Sequence, residues 1–239
     1  MKKILLILLS ISLFGFSQTD KRIALVIGNN NYTNIPPLKN PVNDARLMAK
    51  TLESIGFEVL LEIDITDKRS FVDIIKNFSN KRTDASVALV YYSGHGIQID
   101  SENFLLPTQE VFESENDVTD FAISVQDVMR YICGDAKYSN SLLAFSTDAG
   151  NTAADGDGKN SIYCESLCKN MVLENISIDQ LFRNVRKEMM IKTDGEQVPQ
   201  DRNLLTGDSY YLSKSNSDKV NIFIVDAGRD NPFRSFKRR

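Results

Sequence analysis

The chain contains a single histidine, and its surroundings make it the first candidate for chemistry. His95 lies between two glycines, three residues after the end of the unbroken apolar run of residues 87–92. Such a run is typical of a strand that is covered on both faces of a parallel sheet. Open α/β sheets bind their ligands at the carboxyl ends of such strands, so the pattern predicts an imidazole at a ligand-binding edge. The alternative is a turn histidine that is satisfied by a backbone carbonyl.

Three cysteines could supply a nucleophile, a disulfide or a metal ligand. They are Cys133, Cys164 and Cys168, and their odd number argues against a disulfide framework. The last two fall one turn apart on a predicted helix, but a zinc site would need ligands beyond them and the one histidine. None of the three follows a buried strand that could aim it at His95. We therefore interpret all three as small core residues.

A loop of alternating Asp and Gly at residues 155–158 suggests calcium. An EF-hand loop that begins at Asp155 would need an oxygen ligand at its fifth position and Glu at its twelfth. Those positions hold Lys159 and Ser166. The sequence therefore predicts an ordinary loop, no metal site and no cofactor. It leaves open whether calcium controls the protein.

Composition and charge limit the classes of protein and partner. The 239 residues are 42% hydrophobic and 25% charged, which suits one large or two small soluble domains. The net charge of −4 gives no reason to expect a nucleic-acid partner. The exception is a cluster of positive charges near the C-terminal end, formed by Arg234, Lys237, Arg238 and Arg239.

The first residues are predicted to be a secretory signal. A pair of lysines precedes an apolar stretch at residues 4–16, and residues 15–17 have the small-x-small pattern of a cleavage site. The apolar stretch is shorter than the ~20 residues that a membrane-spanning helix needs. We expect residues 1–17 to be removed and the protein to be exported to the periplasm or secreted, without stable membrane insertion. Residues 18–239 are expected to form one domain.

Strands and helices alternate along the first half of the chain. Apolar runs predict strands at residues 22–28, 57–63 and 86–93, and apolar stripes predict helices at residues 41–55 and 67–79. This alternation predicts a parallel sheet with right-handed crossovers. Asn40 is expected to cap the first helix.

The second half of the chain is predicted to complete this sheet. Ser177 and Gln180 have the spacing of a capping box before a further helix. The remaining elements are predicted as a hairpin at residues 96–106, helices at 124–132 and 161–171, strands at 142–146 and 220–225, and an edge strand at 207–212.

Five blocks of the sequence resemble the caspase-like cysteine peptidases of family C14, clan CD. This group comprises caspases, metacaspases, paracaspases and bacterial orthocaspases, and the pattern is most similar to orthocaspases and metacaspases. The blocks are S-G-H-G, R-I-A-L-V-I-G-N-N-N-Y at residues 22–32, N-D-A-R within residues 38–59, residues 141–161, and D-A-G-R-D-N-P-F at residues 226–233. The resemblance implies a three-layer caspase-like (caspase-hemoglobinase) α/β fold, with a mostly parallel central sheet flanked by helices on both faces.

The resemblance also implies roles for individual residues. In the family, a cysteine thiol attacks a peptide carbonyl and a histidine, here His95, protonates the leaving amine. Backbone N–H groups, here those of Gly96 and Gly228, hold the oxyanion. Asp44 and Asp226 match the acidic positions with which metacaspases and orthocaspases bind Arg or Lys, and a carboxylate pair suits a guanidinium. The alternatives are a helix first-turn residue for Asp44 and a turn former for Asp226.

Two features depart from the family pattern. The D-A-C-R strand of the family precedes the strand that corresponds to residues 142–146, whereas here its block stands near the C-terminal end. We expect residues 220–225 to lie between the His95 strand and that strand, because their almost wholly apolar run suits a central strand. A natural rearrangement and an edited sequence are both open. The second departure is that Gly228 holds the position of the nucleophilic cysteine.

Three functions are compatible with this sequence. The first is a cysteine endopeptidase for Arg/Lys sites in a form that lacks its nucleophile and so hydrolyses no peptide bond. The second is a pseudopeptidase that binds basic peptides without cutting them, and the third is a structural α/β domain with a vestigial site. A substitute cysteine is the less favoured route to activity. The predicted partner is a peptide or protein that presents Arg or Lys, and the oligomeric state is not predicted.

Overall fold

A computed structural model describes residues 21–134, 140–148, 158–206, 209–213, 219–229, 231 and 233. The predicted signal at residues 1–17 lies outside this part of the chain. The described strands are β1 (Arg22–Gly28), β2 (Glu58–Ile63), β3 (Val87–Ser93), β4 (Gly96–Ile99), β5 (Glu102–Leu105), β6 (Ile123–Ser124), β7 (Ser141–Phe145), β8 (Gln200–Asn203) and β9 (Val220–Asp226).

Six helices connect these strands in the described residues. They are α1 (Pro41–Ser54), α2 (Lys68–Lys81), α3 (Glu115–Phe121), α4 (Val125–Cys133), α5 (Ile162–Met171) and α6 (Ile178–Lys192). Asp67, Ser124 and Ser161 cap α2, α4 and α5 through side-chain oxygens that accept the backbone N–H three residues on. None of the six has the length and apolar composition of a membrane-spanning helix.

The main sheet has six strands in the order β2-β1-β3-β9-β7-β8. All neighbours are parallel except β8, which runs antiparallel to β7. Every residue of β9 is buried, and the strand lies between β3 and β7, where its apolar pattern predicts it. A strand near the C-terminal end of the chain therefore forms the centre of the sheet.

Helices cover both faces of this sheet and give the α/β fold its three layers. Met48 of α1, Leu167 of α5 and Val185 of α6 belong to the core on one face. Phe71 of α2 and Val128 of α4 belong to the core on the other. The strands β1, β3 and β9 are apolar on both faces, as expected of strands that helices cover on both sides.

The strands β4, β5 and β6 form a small separate sheet beside the carboxyl end of β3. A third apolar cluster lies against this small sheet and includes Tyr32, Ile97 and Phe104, with Phe233 packed against it. The small sheet thus joins the loop after β1 to the segment that follows β9.

The predicted edge strand at residues 207–212 is wrong. Residues 207 and 208 lie outside the described part, and residues 209–212 form no strand. The edge is β8, whose sequence Q-D-R-N has no apolar residue. A short polar edge strand discourages pairing with other chains, and it lacks the alternation by which strands are recognised in a sequence.

Two predicted helix caps are also wrong in detail. Asn40 makes no side-chain cap and has helical backbone angles, with φ −99° and ψ −29°, whereas a side-chain N-cap needs an extended backbone. The Ser177 hydroxyl accepts the N–H of Gln180 at 3.2 Å, but the side chain of Gln180 donates to Asn184 at 2.7 Å instead of reaching back. The capping box is therefore only half formed.

Candidate functional site

The loops after β3 and β9 lie side by side at the carboxyl edge of the sheet. Ser93 pairs with Asp226 in the β3–β9 register, and the N–H of Gly94 donates to the carbonyl oxygen of Asp226 at 3.3 Å. His95 and Gly228 each follow two residues after this Ser93–Asp226 pair. The register thus brings the predicted histidine and the predicted nucleophile position together.

Gly96 shows how closely the two loops approach. A Cβ atom on Gly96 would lie 2.9 Å from the carbonyl oxygen of Gly228 and 3.0 Å from the Cβ of Ala227. Both distances are shorter than ordinary van der Waals contact, so any side chain here would push the loops apart. Glycine is therefore required at position 96 by the backbone of the neighbouring loop.

Two buried tyrosines hold the backbone of His95. The N–H of His95 donates to the Tyr32 hydroxyl oxygen at 2.8 Å, and the Tyr92 hydroxyl donates to the His95 carbonyl oxygen at 2.7 Å. The Tyr32 ring also meets the imidazole edge to face, with 4.6 Å between ring centroids. A Cβ on Gly94 would lie within 2.7 Å of both hydroxyls, which explains glycine at that position.

The imidazole of His95 has one ring nitrogen committed to the backbone. Its Nε2 lies 2.8 Å from the carbonyl oxygen of Pro36. A carbonyl oxygen can only accept, so Nε2 carries the hydrogen and the neutral ring keeps its basic lone pair on Nδ1. The carbonyl bond expected of a turn histidine is therefore present, and it also fixes the tautomer that acid–base chemistry at Nδ1 requires.

Asp44 and Asp226 come together through Ser161. Asp44 lies in the first turn of α1 and is 1% exposed, and Asp226 ends β9 and is 6% exposed. The backbone N–H of Ser161 donates to Oδ1 of Asp44 at 2.9 Å, and its hydroxyl donates to Oδ2 of Asp226 at 2.7 Å. Ser161 is also the N-cap of α5. The two carboxylates and Ser161 are called the acidic pair below.

Burial and mutual repulsion make the acidic pair electrostatically costly. Burial, followed by the charge of Asp44, raises the pKa of Asp226 from 3.8 to about 7, although bonds from the hydroxyls of Ser161 and Tyr91 oppose the shift. Burial and the neighbouring charge therefore favour the protonated form of Asp226 more than water would. A cation bound between the carboxylates would favour the ionised form of both.

The cysteines of α5 do not replace the missing nucleophile. Cys164 is fully buried, its thiol donates to the backbone carbonyl oxygen of Asp44 at 3.4 Å, and burial raises its pKa well above the ordinary value. A protonated thiol without exposed surface is a poor nucleophile. A side-chain hydrogen bond with Cys164 lowers the pKa of Cys168, but the Cys168 thiol is also buried and contacts the side chain of Thr51. Thr51 lies ~10 Å along α1 from Asp44, the member of the acidic pair on that helix.

Cys133 is remote from the histidine. It is the last residue of α4 and interacts with Ser141, the first residue of β7, and with Arg82, which precedes β3. These neighbours mark the amino ends of the parallel strands, opposite the edge that carries His95. Burial raises the pKa of the Cys133 thiol to about 11. None of the three cysteines is therefore placed as an activated nucleophile.

Arg229 fastens the loop that carries Gly228. Its guanidinium carbon lies 4.0 Å from the centroid of the Phe145 ring, and its Nε donates to the side-chain oxygen of Asn103 on β5 at 3.0 Å. A nitrogen of the guanidinium also donates to the carbonyl oxygen of Thr147 at 3.4 Å. One buried side chain thus links the loop after β9 to β5 and to the end of β7.

The described residues contain no group of three or more His, Cys, Asp or Glu side chains that could hold a metal ion. The loop with Asp155 and Asp157, on which the calcium hypothesis depended, lies outside the described residues.

Sequence comparison shows the family. A family model described as the caspase domain of peptidase family C14 matches residues 21–210. The chain belongs to the caspase-domain peptidases. This confirms the family that the sequence blocks predict. The match ends before β9, so the strand that precedes the nucleophile position lies outside the collinear match, although it occupies the centre of this caspase domain.

Two curated relatives are similar to part of this caspase domain. Human mucosa-associated lymphoid tissue lymphoma translocation protein 1 is 30% identical over 113 residues, which are 46% of this chain and 13% of the relative. The mouse homologue is 27% identical over 111 residues, with the same coverage of 46% and 13%. The chain therefore spans only a small part of the length of these relatives.

A solved structure supports the fold. The crystal structure of caspase-1 from Spodoptera frugiperda superposes with a TM-score of 0.67 at 16% identity, covering 83% of this chain and 92% of the other. The three-layer caspase-like fold with a mostly parallel sheet is thus confirmed.

The structure adds residues that the sequence did not reveal. Tyr32, Tyr92 and the Pro36 carbonyl position His95, and Ser161 joins the two acidic residues. The sequence places Ser161 at the start of a predicted helix, but the bonds of Ser161 join residues 65 and 117 positions away. No local pattern encodes such contacts.

Proposed function

We propose that this caspase domain binds peptides that present Arg or Lys and does not hydrolyse them. The observation that carries the proposal is the acidic pair, which lies at the end of β9 only two residues before Gly228. A side chain bound there would place its own backbone near His95 and Gly228. This is the arrangement that a peptidase with basic specificity needs.

The chemistry of the acidic pair favours a cation as its ligand. Two buried carboxylates next to each other repel. A guanidinium carries only hydrogen-bond donors and can donate to both carboxylates at once. Arginine should bind better than lysine, because its planar fork can bridge the two carboxylates. An acidic side chain should be rejected by like-charge repulsion.

The absence of hydrolysis follows from residue 228. Glycine has no atom that can attack a carbonyl, and loss of the nucleophile from such a catalytic unit removes most of the rate. His95 and the backbone of Gly96 remain in place, so the site keeps a basic imidazole nitrogen for acid–base chemistry and a potential oxyanion donor. The domain would therefore hold a basic peptide in a substrate-like position.

The binding test uses a short non-covalent peptide with arginine and matched peptides in which that residue is lysine, citrulline or aspartate. Citrulline has nearly the shape of arginine without its charge. We expect calorimetric affinity in the order arginine, lysine, citrulline, with no binding of aspartate. Equal affinity for arginine and citrulline would contradict recognition by the carboxylates and would favour a vestigial site.

The catalytic test restores the thiol. The chain with Gly228 should release no fluorophore from an arginyl substrate, whereas Gly228→Cys should give thiol-dependent hydrolysis that His95→Ala abolishes. Thiol-dependent hydrolysis by the unaltered chain would show that another cysteine serves. An inactive but folded Gly228→Cys variant that binds the arginyl peptide would support a pure binding module rather than a latent endopeptidase of the metacaspase or orthocaspase type.

We also propose that residues 1–17 direct export, on the basis of their sequence pattern alone. Mass spectrometry of the mature protein should find its N-terminus near Gln18. An intact N-terminus on exported material would contradict cleavage.

A further inference from the structure

The edge strand β8 presents different residues to the two faces of the main sheet. On the face that α6 covers, Asp201 pairs with Arg186, and the side-chain amide of Asn203 donates to Asp179 at 2.6 Å. Successive residues of a strand point to opposite faces, so Arg202 lies on the face that α4 covers. The strand therefore places a positive charge on the α4 side of the sheet.

Arg202 is not engaged by its neighbours on that side. It lies directly opposite Leu143 in the β7–β8 register, and Leu143 packs against the core beneath α4. Among the described residues, the guanidinium of Arg202 makes no hydrogen bond or ion pair. A charge on an edge strand discourages pairing with other chains, and this one also stands beside a cavity.

The cavity has a volume of about 40 Å³ and lies between α4 and the strands β7 and β8. Its apolar walls are formed by Val125 and Met129 of α4, Leu143 of β7 and Leu204, which follows β8. Val125 and Met129 are buried, whereas Arg202 is exposed, so the cavity has an apolar floor and a charged mouth. This space is called the α4–β8 pocket below.

The side chain of Gln126 adds an unsatisfied acceptor to the α4–β8 pocket. Gln126 lines the pocket, and its Oε1 atom is buried without a hydrogen-bond partner among the described residues. A buried acceptor without a donor costs stability, and native proteins generally pair such atoms with protein, water or ligand. A ligand with an N–H or O–H group would satisfy this oxygen.

The volume limits the apolar part of a ligand. One water molecule needs about 10–15 Å³ of such space, so the pocket accommodates roughly three or four non-hydrogen atoms. An isopropyl or isobutyl group has this size. An aromatic ring is too large, because a cavity that holds benzene has a volume of about 150 Å³.

We propose that the α4–β8 pocket binds a small carboxylic acid that has a short branched aliphatic side chain and a donor group next to the carboxyl. Branched-chain α-amino and α-hydroxy acids share this chemistry. Arg202 holds the carboxylate through its planar fork, Gln126 Oε1 accepts from the donor group, and the apolar walls enclose the side chain. The proposal is independent of the recognition of basic peptides, because no residue of this pocket belongs to the candidate site.

The ligand series removes one feature of the molecule at a time. Calorimetry on the full chain measures binding of leucine and of leucic acid, its α-hydroxy analogue. Isocaproate lacks the donor group, leucinamide lacks the carboxylate, and phenylalanine is too large for the pocket. We expect leucine or leucic acid to bind at least tenfold more tightly than each of these three. The tighter of the two identifies the donor group.

Two variants locate the binding. Arg202→Gln should weaken binding of the tighter ligand at least tenfold, because it removes the charge that holds the carboxylate. Arg183→Gln, on the exposed face of α6, is the matched control and should leave the affinity unchanged. Gln126→Met removes the acceptor at similar length and should also weaken binding at least tenfold. Its melting temperature should not fall, because the lost oxygen has no partner in the free protein.

Four results would overturn the proposal. If neither leucine nor leucic acid binds at millimolar concentrations, the pocket is not a site for this chemistry. Binding that survives both Arg202→Gln and Gln126→Met lies elsewhere on the protein. Binding of leucinamide as tight as that of leucine means that the ammonium group is recognised instead of the carboxylate. A lower melting temperature of Gln126→Met means that the oxygen is already satisfied without a ligand.

Discussion

The loop after β3 and the loop after β9 meet at one edge of the sheet but are stabilised in opposite ways. His95 has bonds from its N–H, its carbonyl and its Nε2, and all three go to uncharged groups. Asp226 ends the other strand beside Asp44, and its pKa is raised to about 7 because burial and a like charge oppose its ionisation. The N–H, carbonyl and Nε2 of His95 are thus all hydrogen-bonded, whereas ionisation of Asp226 costs electrostatic free energy.

This difference fits the roles proposed for the two loops. A general acid–base group works when its orientation is fixed before the reaction, which neutral hydrogen bonds provide at little cost. A site for a cation needs negative charges close together, which costs folding stability until a ligand arrives. Substitutions in the loop after β3 should therefore change the geometry around His95. Substitution of Asp226 should raise the stability of the free protein and lower its affinity for the arginyl peptide.

The largest effect is expected when the second loop is removed together with its strand. A chain that ends at Ser213 lacks β9, whose five large apolar residues are buried between both cores. Burial stabilises by about 1.5–3 kcal/mol per large side chain, so the loss is on the order of 10 kcal/mol. This equals the total stability of a typical domain.

The truncated chain should consequently lack a cooperative thermal transition by circular dichroism. A chain that ends at Phe233 is the control and should unfold cooperatively near the temperature of the full chain. Cooperative melting of the shorter chain would show that the first loop and its strands are stable without β9.

The next effect separates affinity from stability at the second loop. Asp226→Asn should weaken binding of the arginyl peptide by about 2–5 kcal/mol, because it removes one of two desolvated charges. The same change should stabilise the free protein at pH 8, because it removes the repulsion from Asp44. Asp127→Asn, on the exposed face of α4, changes net charge equally and should do neither.

Calorimetry and thermal unfolding measure the two effects on the same samples. Weaker binding together with lower stability would mean that Asp226 is a structural residue. Unchanged affinity would favour the vestigial-site hypothesis.

The pH dependence should differ in sign between stability and binding. The pKa of Asp226 is about 7 in the fold and near 3.8 when unfolded, so the folded state binds more protons between these values. The free energy of unfolding should therefore fall as pH rises from 4 to 7, by up to ~1.4 kcal/mol per pH unit. Affinity for the arginyl peptide should rise over the upper part of this range as the carboxylate ionises.

Unfolding and binding measured from pH 5 to 8 would show these opposite slopes. In Asp226→Asn both slopes should flatten. Parallel slopes in the unaltered chain would mean that another group dominates the titration.

The smallest effect is expected at the first loop. Tyr32→Phe removes the oxygen that accepts the N–H of His95 but keeps the aromatic contact. The loss should be about 1–3 kcal/mol of stability, the cost of a buried donor without its acceptor. Because the chain has one histidine, its imidazole resonances are unique in the NMR spectrum, and they should shift or broaden.

Tyr163→Phe is the matched control for this variant. Tyr163 is equally buried, and its hydroxyl has no hydrogen-bond partner among the described residues. Its removal should leave both the stability and the imidazole resonances nearly unchanged. Equal effects of the two substitutions would show that Tyr32 does not position His95.

The sequence alone determined the framework of this protein. The apolar runs of β1, β3 and β9 were recognisable because strands covered on both faces carry almost no polar residue. The blocks around His95, Asp44 and Asp226 identified the family, which the comparison confirmed. These features are local in sequence, and each acts through the types of a few consecutive residues.

Only the tertiary structure decided how the site is held together. The edge strand β8 is polar, so its composition does not reveal a strand. Only its pairing with β7 shows that these residues form one. Tyr32 and the Pro36 carbonyl meet His95 from about 60 residues away, and Ser161 reaches Asp44 across 117 residues. Such bonds depend on the sheet having formed, because a single polar residue has no periodic pattern that announces its partner. The acidic pair and the fixed tautomer of His95 are consequences of the fold.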